Sequence, residues 1–184
     1  DEVEEVKKKL REIVKRDRDL IERVREELKE ILDRNREINR RAIEDLKRIL
    51  EEVDELVKRG TDKKDLEKIL RDIERLVEEV RRRSRELVER AKRLIEKVVT
   101  DSKKTVERIR RDVEKVLDDL RRKNKEELIR DVERVVREVL RRIEKSIRDL
   151  DRVIRDVLDK SRELIKRSED VAKRVVDTLR EKAR

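Results

Sequence analysis

The sequence predicts an all-α protein, an antiparallel three-helix bundle of long, nearly straight helices, and three observations predict it. Aliphatic residues recur every eighteen positions, which is five turns of an α-helix. One glycine and no proline interrupt 184 residues. Charged side chains make up 59 % of the chain, and its apolar third contains only Leu, Ile, Val and Ala. Such a charge excess with so little hydrophobicity would ordinarily signal disorder. Periodic placement reverses that reading, because residues gathered on one face of a helix can be buried together even when they are few.

The first helix is expected over about residues 2–59. Asp1 and Glu4 have capping-box spacing at its start. At its end Gly60 follows Lys58 and Arg59, where basic side chains suit a helix C-terminus and glycine suits the left-handed position beyond it. Thr61 and Asp62 then offer an N-cap to a second helix over about 62–122. A weaker break lies at Lys123-Asn124-Lys125-Glu126-Glu127, where Asn124 can cap and Glu127 stands three residues on, opening a third helix over about 125–183. The pieces of about 59, 62 and 60 residues imply three equal rods, each roughly 90 Å long at 1.5 Å per residue. Thr100-Asp101-Ser102 resembles another cap. Register argues for a continuous helix there, since Leu70, Val88 and Val106 stay in phase, as do Ile73, Ala91 and Ile109, and Val77, Ile95 and Val113.

The same step orders the other segments: Leu10, Leu28 and Leu46, with Ile13, Ile31 and Ile49, in the first, and Ile129, Ile147 and Ile165, with Val139, Val157 and Val175, in the third. A step of seven does worse, since from Ile13 it reaches Leu20 and then Glu27, Arg34 and Arg41. Eighteen residues in five turns lie between the repeats that force left-handed and right-handed supercoils, which predicts nearly straight helices. A lone helix of this length would leave its apolar stripe wet, whereas three can close a core within one chain, with short connections making sequential neighbours antiparallel.

Regularity extends to every level: good helix formers on the surface, breakers only at the connections, and branched aliphatics in the core. In its period, its reduced alphabet and its connections at Gly60 and Asn124 the whole chain resembles de novo designed, parametric, untwisted single-chain three-helix bundles. The resemblance implies a very stable monomer without biological activity, and it brings no functional residues with it.

Several in-phase positions are polar: Asp17, Asn35 and Asn39 in the first helix, Ser84, Ser102 and Thr105 in the second, and Ser146, Ser161 and Ser168 in the third. If the helices meet at the two connections, a first-helix position n faces about 121 minus n in the second and n plus 126 in the third. Asn35 then falls near Ser84 and at Ser161, and Asp17 near Ser102, Thr105 and Ser146. Two polar layers result, roughly 27 Å apart. A buried carboxylate among hydroxyls could be a primitive acid-base or cation site, but no His is present to act beside it and a lone carboxylate makes a poor cage for a hard cation. The structural alternatives are hydrogen-bonded layers that specify helix order and register, or side chains at the stripe edge that meet water or backbone carbonyls one turn back.

No His, Cys, Met, Phe, Tyr or Trp is present, which removes imidazole bases, thiol nucleophiles, soft metal ligands and base-stacking rings. No catalytic, cofactor-binding or metal site is therefore assigned, and no disulfide constrains the redox compartment. No apolar run approaches the ~18 residues of a membrane span, and Asp1-Glu2-Val3-Glu4-Glu5 is the reverse of a basic signal-peptide start, so the chain reads as soluble and untargeted. The net charge of +9 is spread as −1, +6 and +4 over the three segments. Arg81-Arg82-Arg83 is the densest basic run, and Glu78, Glu79 and Glu86 counter it at helical spacing. The expected function is that of an idealised structural scaffold, a monomer with no partner, no specific nucleic acid and no membrane. The alternative is a non-specific electrostatic binder of nucleic acid or anionic membrane surfaces.

Overall fold

A computed structural model describes residues 2–60 and 62–182 as three helices: α1 (Glu2–Lys58), α2 (Lys63–Arg122) and α3 (Glu126–Lys182). Burial follows the eighteen-residue phase. Leu10, Leu28 and Leu46 are buried, as are Ile73, Ala91 and Ile109, and Val139, Val157 and Val175. The expected caps at Asp1 and Thr61 lie outside the described residues.

Two compact units divide the chain. One contains residues 2–27 and 92–155. Its core joins Val3 and Leu10 of α1 to Ile109, Val113, Leu117 and Leu120 of α2 and Val132, Val139 and Ile143 of α3. The other contains residues 28–91 and 156–182. Its core joins Leu46 and Val53 of α1 to Leu66 and Ile73 of α2 and Ala172, Val175 and Leu179 of α3. In each, three amphipathic faces bury their aliphatic stripes against one another, the main favourable term in folding.

Both connections are made by left-handed residues. Gly60 has φ of 77° and its N–H donates to the Val57 carbonyl at 3.1 Å, ending α1. Asn124 has φ of 52°, its N–H donates to Arg121 and the Lys125 N–H reaches back to Leu120, both at 3.1 Å. That pair of bonds is the Schellman motif, with Asn124 just beyond the end of α2. The expectation that Asn124 caps the next helix is corrected accordingly: the first α3 backbone bond runs from the Ile129 N–H to the Lys125 carbonyl, so Lys125 occupies the cap position. Asparagine suits the left-handed role because its short polar side chain lowers the cost of positive φ.

A Cβ added to Gly60 would meet no atom within 4 Å, so Gly60→Ala tests backbone strain alone. We expect a loss of about 1 kcal/mol in a denaturant titration, the left-handed penalty less the entropy removed from the unfolded chain. Gly60→Asn should cost less, since Asn124 fills the equivalent place in the second connection.

Helix α2 continues through Thr100, Asp101 and Ser102. The Thr105 hydroxyl donates to the Asp101 carbonyl at 2.9 Å, one turn back. Residues that resemble a cap in the sequence are thus absorbed by a helix whose neighbours Val98 and Ile109 are buried.

Candidate functional site

The buried polar residues are the candidate site, and Asn39 is its centre. Asn39 stands on α1 one turn after Asn35, so both amides project from the same face. The Asn39 Nδ2 donates to the Asn35 carbonyl at 2.7 Å and to Asn35 Oδ1 at 2.8 Å. A longer contact of 3.4 Å reaches Ser84 Oγ on α2. On the other side the Ser168 hydroxyl of α3 donates to Asn39 Oδ1 at 2.6 Å. One amide therefore ties all three helices together, in a place where both asparagines are at most 1 % exposed.

The orientation of Asn35 is determined by this network. Exchanging its Oδ1 and Nδ2 would set two N–H donors against each other. In the arrangement present, Asn35 Nδ2 is buried without a hydrogen-bond partner, a cost that the layer carries.

The sequence expectation centred this layer on Asn35, with Ser84 and Ser161 opposite. The structure moves the centre one turn along α1: Asn39 meets Ser84 and Ser168, while Asn35 bonds only to Asn39 among the described side chains. Ser161 is buried, as expected, but takes no side-chain bond to Asn35. The reason is reach. A mean register locates helix axes to within about a turn, whereas a hydrogen bond depends on donor–acceptor separation to tenths of an ångström.

In the other unit Asp17 and Ser102 are buried and Thr105 and Ser146 are half-buried. Among the described residues no connected layer forms there. The Ser102 hydroxyl has no partner, and that of Thr105 is occupied by its own helix. Burial pushes the Asp17 carboxyl above the usual carboxylate range, because a charged oxygen loses its hydration there. Surface acids move the opposite way. The hydrogen bond from Lys7 holds Asp131 below its ordinary range, and those from Arg40 and Arg41 do the same for Glu37.

Cross-helix ion pairs are the contacts that the sequence reading missed. Lys7 pairs with Asp131 at 2.7 Å in one unit, and Arg81 with Glu169 at 2.8 Å and Lys182 with Asp54 in the other. Arg81 of the basic run that Glu78, Glu79 and Glu86 are expected to counter thus pairs with a carboxylate on α3. The register rule contained a signal for two of these: Lys7 with Asp131 and Asp54 with Lys182 are separated by 124 and 128 residues, close to the 126 expected of α1 against α3. Among the described residues no three His, Cys, Asp or Glu gather as a metal site. No helix among them is long and apolar enough to cross a membrane.

A solved structure described as a computationally designed three helix bundle superimposes with a TM-score of 0.80, covering 99 % of this chain and 92 % of its own at 16 % identity. The fold is that of a three-helix bundle. No protein-family model matches the chain, and no curated protein matches it either. Within this bundle fold, the buried asparagines and serines, with Asp17, depart from an aliphatic interior, and the Asn39 layer is where Asn35, Asn39, Ser84 and Ser168 engage one another.

Proposed function

We propose that this bundle is a structural scaffold made for its own fold, without a substrate, cofactor or native ligand. The observation that carries the reading is the Asn39 layer. Its amide and hydroxyl groups bond one another across α1, α2 and α3 instead of facing a cleft, which suits a device for specifying helix order. A buried carboxylate without a neighbouring base, as at Asp17, is likewise poor equipment for catalysis. The designed bundle of the same fold supports the scaffold reading. We further propose that the chain is a monomeric single domain with untwisted packing set by its five-turn repeat, and that its unfolding midpoint exceeds about 90 °C.

The experiment is a mass determination in solution together with titration of a fluorescent oligothymidylate and of phosphatidylserine vesicles. A monomer of 22.6 kDa is expected. The net charge of +9 should give weak association at low salt that disappears by about 0.15 M, where the screening length has fallen to about 8 Å. Binding that persists at that salt would replace the scaffold with the electrostatic binder, and a stable dimer would overturn the monomer.

A further inference from the structure

An open groove of about 540 Å³ runs between α1 and α3 within the unit formed by residues 2–27 and 92–155. Its floor is aliphatic, with Leu10 and Val14 one turn apart on α1 and Val135 and Val139 one turn apart on α3. Along its α1 edge stand Lys7, Arg11, Lys15 and Arg18, a row at helical spacing that covers roughly 16 Å. The α3 edge is mixed, with Arg134 and Arg142 on either side of Glu138.

Few of these charges are neutralised within the chain. Asp131 takes Lys7 at 2.7 Å and Arg134 at 2.6 Å. Arg11 reaches only the Lys7 carbonyl, at 3.4 Å, and Lys15, Arg18 and Arg142 form no ion pair among the described residues. The groove therefore combines apolar positions spaced by one turn with an α1 edge on which Arg11, Lys15 and Arg18 have no acidic partner among the described residues and a mixed α3 edge that carries Glu138 between Arg134 and Arg142.

We infer that this groove docks an acidic amphipathic helix. A helix lying along α1 presents side chains at the same three- and four-residue spacing as the cationic row, so glutamates on one edge would meet Arg11, Lys15 and Arg18 in turn while its aliphatic stripe covers Val14 and Val135. A lysine on its other edge suits Glu138. A single-headed amphiphile would engage one or two of these cations and leave the others idle. Nucleic acid fits less well, because phosphates on the α3 edge would approach Glu138 and Asp131, and the aliphatic floor offers no ring for stacking. This binding capacity goes beyond the scaffold role and does not depend on it.

The test uses the full chain and a fluorescent synthetic helix of about four turns, with leucines on one stripe, glutamates on one edge and a single lysine on the other. Fluorescence anisotropy should show saturable one-to-one binding, and methyl NMR signals of Val14 and Val135 should move. Arg11→Glu with Lys15→Glu should weaken binding at least about tenfold, whereas Lys103→Glu with Arg110→Glu, on exposed α2 positions of the same unit, makes the same change in net charge and should alter it less than about twofold. Circular dichroism checks that each variant is folded, and Arg11→Gln with Lys15→Gln replaces the first pair if it is not, with a loss of severalfold expected. Absence of saturable binding, equal losses in the two pairs of substitutions, or an oligothymidylate that binds with the same dependence on Arg11 and Lys15 would each overturn the inference.

Discussion

Asn39→Ala should destabilise the protein by about 3 kcal/mol or more, the largest loss expected from a single substitution in its polar interior. The amide of Asn39 satisfies Asn35 Oδ1 and the Ser168 hydroxyl and touches Ser84. Its removal leaves at least two buried polar groups without partners, each costing about 1 to 3 kcal/mol, in addition to the cavity. The decisive comparison is with a variant in which Asn35, Asn39, Ser84 and Ser168 are all replaced by apolar residues of similar size. No orphan then remains, and stability should return to within about 1 kcal/mol of the parent or exceed it. What should be lost is uniqueness, seen as extra or broadened amide NMR signals, because the layer no longer penalises slipped or reordered helices. Denaturant midpoints at unchanged m-value measure the first effect. A cost below about 1 kcal/mol for Asn39→Ala would remove the hub from the account of stability, since even one orphaned group should exceed it. A substituted layer that remains as homogeneous as the parent would remove it from the account of specificity.

Asp17→Leu should act in the opposite direction, stabilising the protein at neutral pH by about 2 kcal/mol through apolar burial and the loss of a poorly hydrated charge. Asp17→Asn separates the charge from the packing. Burial raises the carboxyl pKa in the folded state, so the ionised form weakens folding. The stability associated with neutral Asp17 is complete below the unfolded value near 3.9 and is lost as pH rises through the higher folded value. Asp17→Asn should therefore be more stable than the parent at neutral pH, and the difference should shrink as pH falls through that window, where the parent carboxyl takes up its proton. The depressed acids Asp131 and Glu37 contribute the opposite slope, with stability lost on acidification. For that reason the measurement is the difference between variant and parent at each pH. A difference that does not change with pH would exclude the buried charge as its cause.

Much of this fold can be read without coordinates because its signal is redundant. Leu10, Leu28 and Leu46 repeat the same instruction in one helix, and Ile73, Ala91 and Ile109 repeat it in another. One misleading local cue, such as Thr100-Asp101-Ser102, is then outweighed by the phase of the residues around it. Gly60 is legible for a different reason: a lone glycine after two basic residues has few other uses in so regular a chain. The polar positions are only half legible. Periodicity selected the Asn, Ser and Asp residues of the stripe, but it could not distinguish Asn39, which joins three helices, from Asn35 one turn before it.

Composition and period by themselves determined that this chain is helical, that it breaks near Gly60 and Asn124, and which faces are withdrawn from water, since each depends on local conformational preference and on apolar side chains adding up along a helix. Tertiary structure alone decided which asparagine became the hub and that Arg81 pairs with Glu169, whereas the role of Asn124 at the end of α2 was settled by its local backbone turn. Hydrogen bonds and ion pairs are sensitive to tenths of an ångström and to competing partners on neighbouring helices, whereas hydrophobic burial is tolerant of both.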